Sequence, residues 1–71
     1  MNTILIEPVP PKQVHIRDWL IENIGPLDDL YHKSRISGMG WNFQWYDEAR
    51  TMWAVDIDDD DKAVEFKLIW L

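Results

Sequence analysis

From Trp41 onward, apolar and polar residues alternate. Trp41, Phe43 and Trp45 share one parity, as do Trp53, Val55 and Ile57, and then Val64, Phe66, Leu68 and Trp70. Alternation is the period of a strand with one buried face, because successive side chains point to opposite sides of a sheet. The three runs predict an antiparallel three-stranded meander with a Trp-rich core face. Tyr46–Thr51 and Asp58–Lys62 supply the polar hairpin connections. The opposite face would then carry Asn42, Gln44, Tyr46, Met52, Ala54, Asp56, Glu65, Lys67, Ile69 and Leu71. Tyr46, Met52, Ile69 and Leu71 make that open face partly apolar, so a partner or a second copy of the chain, as a homodimer, is expected to cover some of it.

The first part of the chain has a different period. Thr3–Glu7 reads as a short strand, stopped by Pro8, Pro10 and Pro11, since proline cannot donate to a ladder. A helix is predicted from Pro11 or Lys12 to Ile24, ended by Gly25-Pro26 with glycine in a left-handed cap. At about 100° per residue, Ile16, Trp19, Leu20 and Ile24 form one stripe, which should cover the sheet. Val14 and Ile21 fall away from that stripe, beside Asp18 and Glu22. Pro26–Ser34 reads as a second short helix, with Asp28 and Asp29 in its first turn and His32 and Lys33 in its last, the charge order that suits a helix dipole. Arg35–Gly40 reads as a loop. The expected fold is α+β, a two-layer β-α-(short α)-β-β-β domain over residues 1–71: the meander packs on one main helix, and the first strand lies at an edge or forms an arm.

Composition sharpens the picture. A chain of 71 residues without cysteine has no disulfides and no thiolate zinc site to staple it. Chains of this size bury only about 60% of their unfolded surface. Large aromatic side chains are the substitute, and five Trp, two Tyr and two Phe are available. Each buries roughly 150–250 Å² when internal. The segment Met1–Pro8 has no basic region and only a three-residue apolar run, so no signal peptide or membrane anchor is expected. With no cysteine, that points to a cytoplasmic, soluble protein.

Thirteen acids against seven bases leave a net charge of −6. Direct nucleic-acid binding needs a basic face for the phosphates, so it is not expected. The Trp residues share parity with Val and Ile, which places them in a core rather than on a base-stacking platform. Asp56, Asp58 and Asp60 imitate the opening of a calcium loop, but Asp61 stands where glycine is required and Lys67 where the bidentate Glu is required. No metal or other cofactor is expected, and Asp58, Asp59, Asp60 and Asp61 read instead as a solvated hairpin tip that keeps the hairpin soluble. Ser37-Gly-Met-Gly-Trp41 lacks the Lys and Ser/Thr of a phosphate loop. His15 can pair with Asp18, and His32 sits in a short basic cluster with Lys33 and Arg35. Neither has a serine framework or an orienting acid of a catalytic kind. No enzyme is expected.

What remains is surface binding. Val14 and Ile21, with His15, Asp18, Glu22 and the arm through Glu7 around them, have the apolar centre and charged rim of an interface. The acidic run Asp58–Asp61 is the second candidate surface. Both would suit a partner with a basic surface. In kind, the absence of cysteine, the Asp58–Asp61 run and the density of Trp41, Trp45, Trp53 and Trp70 resemble small lytic-phage host-takeover proteins. That resemblance implies a non-enzymatic regulator in the bacterial cytoplasm that inhibits or modulates a host machine, with host RNA polymerase (transcription regulation) as the leading partner. The alternative is a DNA mimic that inhibits a nuclease or another DNA-binding defence protein.

Overall fold

The computed structural model describes residues 2–28 and 35–71. Its elements run β1 (Asn2–Ile6), α1 (Pro10–Asn23), β2 (Arg35–Gly38), β3 (Trp41–Trp45), β4 (Trp53–Ile57) and α2 (Asp60–Trp70). The strands form one antiparallel sheet in the order β1-β4-β3-β2. The fold is α+β, with a meander of β2, β3 and β4 and with β1 at the edge, beside β4. Both helices pack on one face of the sheet, making two layers.

The expected parity is found in β3 and β4. Trp41, Phe43, Trp53, Val55 and Ile57 point inward and are buried, joined by Ile4 and Ile6 of β1. In cross-strand register, Trp41 faces Ile57, Phe43 faces Val55 and Trp45 faces Trp53. Ile16 and Leu20 of α1 are fully buried against this face, with Trp19 and Ile24 partly buried beside them. Ala63 and Phe66 of α2 complete the core.

The membership of the meander differs from the expectation in two places. Val64–Trp70 is helical rather than a strand, and Arg35–Gly38 is a strand rather than part of a loop. Two glycines make the second change work. Gly40 takes φ 84° in the two-residue turn between β2 and β3, a conformation costly for other residues. Gly38 lies opposite Trp41, whose indole occupies the space a side chain would need: a Cβ on Gly38 would come within 2.4 Å of that ring. The indole Nε1 of Trp41 donates to the Gly25 carbonyl at 2.8 Å, tying the end of α1 to the sheet.

Pro26–Asp28 covers the far edge of β2. The Asp28 amide donates to the Ser37 carbonyl and the Met39 amide to the Pro26 carbonyl, both at 3.0 Å. Leu27 therefore sits in a bridge to Gly38, not in the first turn of a helix. The rest of the expected short helix, including Leu30, Tyr31, His32, Lys33 and Ser34, lies outside the described residues. The left-handed cap expected at Gly25 is not used. α1 closes through the Ile24 and Gly25 amides, which both donate to the Leu20 carbonyl.

The outer face of the sheet is polar. The Thr3 hydroxyl donates to Asp56 Oδ1 at 2.6 Å and Asn42 donates to Asp56 Oδ2 at 3.4 Å, forming a row across three strands. The next row is Arg35, Gln44, Ala54 and Leu5. The partly apolar open face expected from Tyr46, Met52, Ile69 and Leu71 is not formed, because Ile69 and Leu71 belong to α2 and its C-cap. The homodimer expected through that face loses its apolar basis.

Trp53 sits on a central strand and meets Phe43 edge-to-face at 5.3 Å between centroids, and Trp45 at 6.0 Å. Trp53→Ala is expected to cost about 3–5 kcal/mol and to abolish a cooperative thermal transition. Calorimetry checks this, and a near-wild-type melting temperature would contradict the packing.

Candidate binding surface

α2 is built by its own first turn. Asp59 stands at the N-cap in an extended conformation, and its side chain accepts from the Lys62 amide at 3.0 Å. Asp60 and Asp61 follow in the first turn and Lys67 stands in the last, the order that the helix dipole favours. Lys62 pairs with Glu65 at 3.2 Å, one turn on. The run expected to cap a hairpin therefore starts a helix. This corrects the acidic-tip reading: Asp59 caps, and Asp60 accepts from Asn2 at 2.7 Å, which links α2 to the start of β1.

The residues of α2 divide into two lines. Ala63, Phe66 and Trp70, spaced i, i+3 and i+7, face the sheet. Phe66 is fully buried and meets Trp19 at 5.6 Å and Trp70 at 6.3 Å. Val64, Leu68 and Leu71, spaced i, i+4 and i+7, lie on a different side and face water. They are 56%, 80% and 70% exposed; Ile69, 51% exposed, lies apart from this line, on the far side of Glu65. Single exposed leucines are ordinary on a protein surface, but a continuous line along one helix makes a candidate interaction face.

Sequence reasoning missed this surface because Val64, Phe66, Leu68 and Trp70 also alternate. The helical signals were present: a capping Asp59, acids then a base along the segment, the helix formers Ala63, Glu65, Lys67 and Leu68, and no Gly or Asn between Ile57 and Asp60 to make a tight turn.

The N-terminal candidate patch is only partly assembled. Glu7, Val14, His15, Asp18 and Glu22 are exposed. Ile21 is partly buried and packs on the core, so Val14 is left as the apolar member, 50% exposed. Asp18 is engaged by the Arg17 guanidinium at 3.2 Å rather than by His15. The paired apolar centre expected there does not form.

The β3–β4 connection borders an open depression of about 440 Å³ lined by Gln44, Trp45, Tyr46, Asp47, Glu48 and Arg50. Of its two carboxylates, Asp47 is occupied by the turn itself. The Thr51 hydroxyl and amide both donate to Asp47, at 2.6 and 2.9 Å, and these bonds hold its carboxyl below the usual range. Their contribution is present above the ordinary carboxylate pKa and is lost as pH falls through the depressed one. Arg50, at φ 58°, lies over the Trp45 ring at 5.9 Å.

Among the described residues, no group of three or more His, Cys, Asp or Glu is placed to hold a metal ion, and no helix is long and apolar enough to cross a membrane. No family model matches the chain, and neither a curated protein nor a solved structure matches it.

Because Asp59 caps α2, Asp59→Ala is expected to lower stability by about 0.5–2 kcal/mol. Asp59→Asn should nearly restore it, since Asn caps as well as Asp. Urea unfolding monitored by circular dichroism separates the two. Equal stability of Asp59→Ala and the parent would speak for a solvated turn instead.

Proposed function

We propose that this chain is a non-enzymatic, acidic protein-binding regulator that acts through the outer face of α2. The observation that carries the reading is the exposed line Val64, Leu68 and Leu71, on a different side of the helix from its buried line. A helix with one apolar side against its own sheet and a second apolar side facing water suits a groove on another protein. The resemblance in kind to phage host-takeover proteins makes host RNA polymerase the first partner to test. A DNA mimic fits less well. Phosphate imitation needs a continuous acidic track, whereas Asp47 and Glu48 lie beyond one end of β4, Asp58–Asp61 lie beyond the other, and uncharged Gln44 and Ala54 lie between them.

The test is capture from bacterial lysate, and of purified RNA polymerase, at low and high salt. A specific partner should persist at high salt, because apolar contacts are not screened. Leu68→Asp should abolish capture without unfolding the chain, as Leu68 is 80% exposed. If capture survives Leu68→Asp but is lost on Val14→Ser with Asp18→Lys, the binding surface lies on α1 instead.

A further inference from the structure

The two edges of the sheet are not alike. β2 carries Arg35 and is bordered by residues 26–28, whereas β1 reads Asn-Thr-Ile-Leu-Ile, with no charge and no proline. The backbone of β1 also has a defined parity. The Asp58 amide donates to the Gly40 carbonyl at 3.0 Å and the Tyr46 amide to the Met52 carbonyl at 2.8 Å. The directly bonded β3–β4 pairs are therefore the even-numbered ones, Asn42 with Asp56 and Gln44 with Ala54 among them. Trp53, Val55 and Ile57 turn their amides and carbonyls to β1 instead, where they meet Ile6, Ile4 and Asn2. Thr3 and Leu5 direct theirs the other way, off the edge of the sheet. Among the described residues nothing bonds these outward amides and carbonyls.

We propose that β1 pairs antiparallel with β1 of a second copy, about a two-fold axis at Ile4, and joins the two sheets edge to edge. In that register Thr3 of each copy lies opposite Leu5 of the other, and each such pair exchanges both its bonds. All the outward amides and carbonyls of Thr3 and Leu5 are then used, and the Ile4 side chains meet on the inner face. An open, uncharged edge is the usual template for such pairing. The flank of α2 favours a second copy over an unrelated strand. α2 packs on β1 and β4, and its Asp60 accepts from Asn2 of β1 at 2.7 Å. Val64, Lys67 and Leu71, at i+4, i+7 and i+11 from Asp60, share its side of the helix, so they border the same edge, and all three are exposed. The two-fold axis sets the two α2 helices antiparallel along that border. Aliphatic side chains then meet aliphatic ones, and the last turn of each helix, with Lys67, lies beside the first turn of the other, with Asp60 and Asp61. Leu68 falls off this stripe and stays on the outer side. The inference stands on the edge of β1 and goes beyond the proposed function, since the dimer presents two copies of Leu68 to any further protein.

The test is sedimentation equilibrium of the whole chain, with amide hydrogen exchange measured over a range of concentrations. Each copy carries a net charge of −6, so the measurements are made at physiological ionic strength, where separated charges are screened. The chain should dimerise, and the Thr3 and Leu5 amides should gain protection as concentration rises, while those of Ile4 and Ile6 stay protected throughout. Leu5→Pro removes an amide that β4 does not use and sets a ring in the edge. It should raise the dimer Kd at least about tenfold with the circular dichroism spectrum kept. Leu68→Asp should leave the dimer intact, so its effect on partner capture tests the proposed function separately. A chain that sediments as a monomer at about 1 mM overturns the inference. So does a dimer whose Thr3 and Leu5 amides stay unprotected, which places the contact on another surface. Protection of those amides only by a captured cellular protein also overturns it, because the occupant is then a foreign strand. Where Leu5→Pro does not fold, the concentration dependence of protection in the parent chain decides.

Discussion

Two helices meet over the sheet where Trp19 packs edge-to-face on Phe66, and this contact answers the main constraint on the fold. Four strands about 4.8 Å apart present a face roughly 15–19 Å wide, whereas a helix with its side chains is about 10–12 Å across. One helix cannot cover the apolar side of such a sheet. α1 brings Ile16 and Leu20, α2 brings Ala63 and Phe66, and the Trp19–Phe66 pair closes the seam between them. With no disulfide available, aromatic packing of this kind holds the two helices together, while the β1–β4 ladder and the Asn2–Asp60 bond hold the start of the chain to its C-terminal part.

That solution leaves two very different surfaces. The open side of the sheet is mostly polar, with Asp56 held between Thr3 and Asn42 and with Leu5 and Tyr46 as its exposed large side chains. Antiparallel sheets tolerate one wet face, and this one has a polar row across three strands. The outer side of α2 is not fitted for water. Folding needs only the Ala63–Phe66–Trp70 line of that helix, and the core packing does not account for Val64, Leu68 and Leu71. The contrast between the two exposed faces is the basis of the proposal that α2 is the binding surface.

The acidity of the chain takes on a more local meaning in this setting. Asp59 and Asp60 serve the start of α2, Asp56 serves the sheet and Asp47 serves a turn. Much of the apparent excess of carboxylate is therefore structural. Asp58 and Asp61 make no such contact among the described residues.

Sequence alone determined the strands whose side chains have only one sensible parity. In β3 and β4, large aromatics and β-branched residues alternate with Asn, Gln and Asp, and a one-residue slip would bury the polar set. The stripe of α1 was legible for the same reason, but β1 was open between an edge strand and an arm, and only the assembled sheet set it beside β4. The last segment was not legible, because Val64–Trp70 satisfies both a period of two and a period near 3.6. Local pattern cannot choose between them. The choice came from tertiary structure: Arg35–Gly38, with Gly38 yielding its space to Trp41, took the third place in the meander, and the uncovered half of the sheet required a helix. The same decision turned an acidic tip into a capped helix start and exposed Val64, Leu68 and Leu71. The candidate binding surface thus depends on how wide a sheet must be covered, a property of the assembled chain.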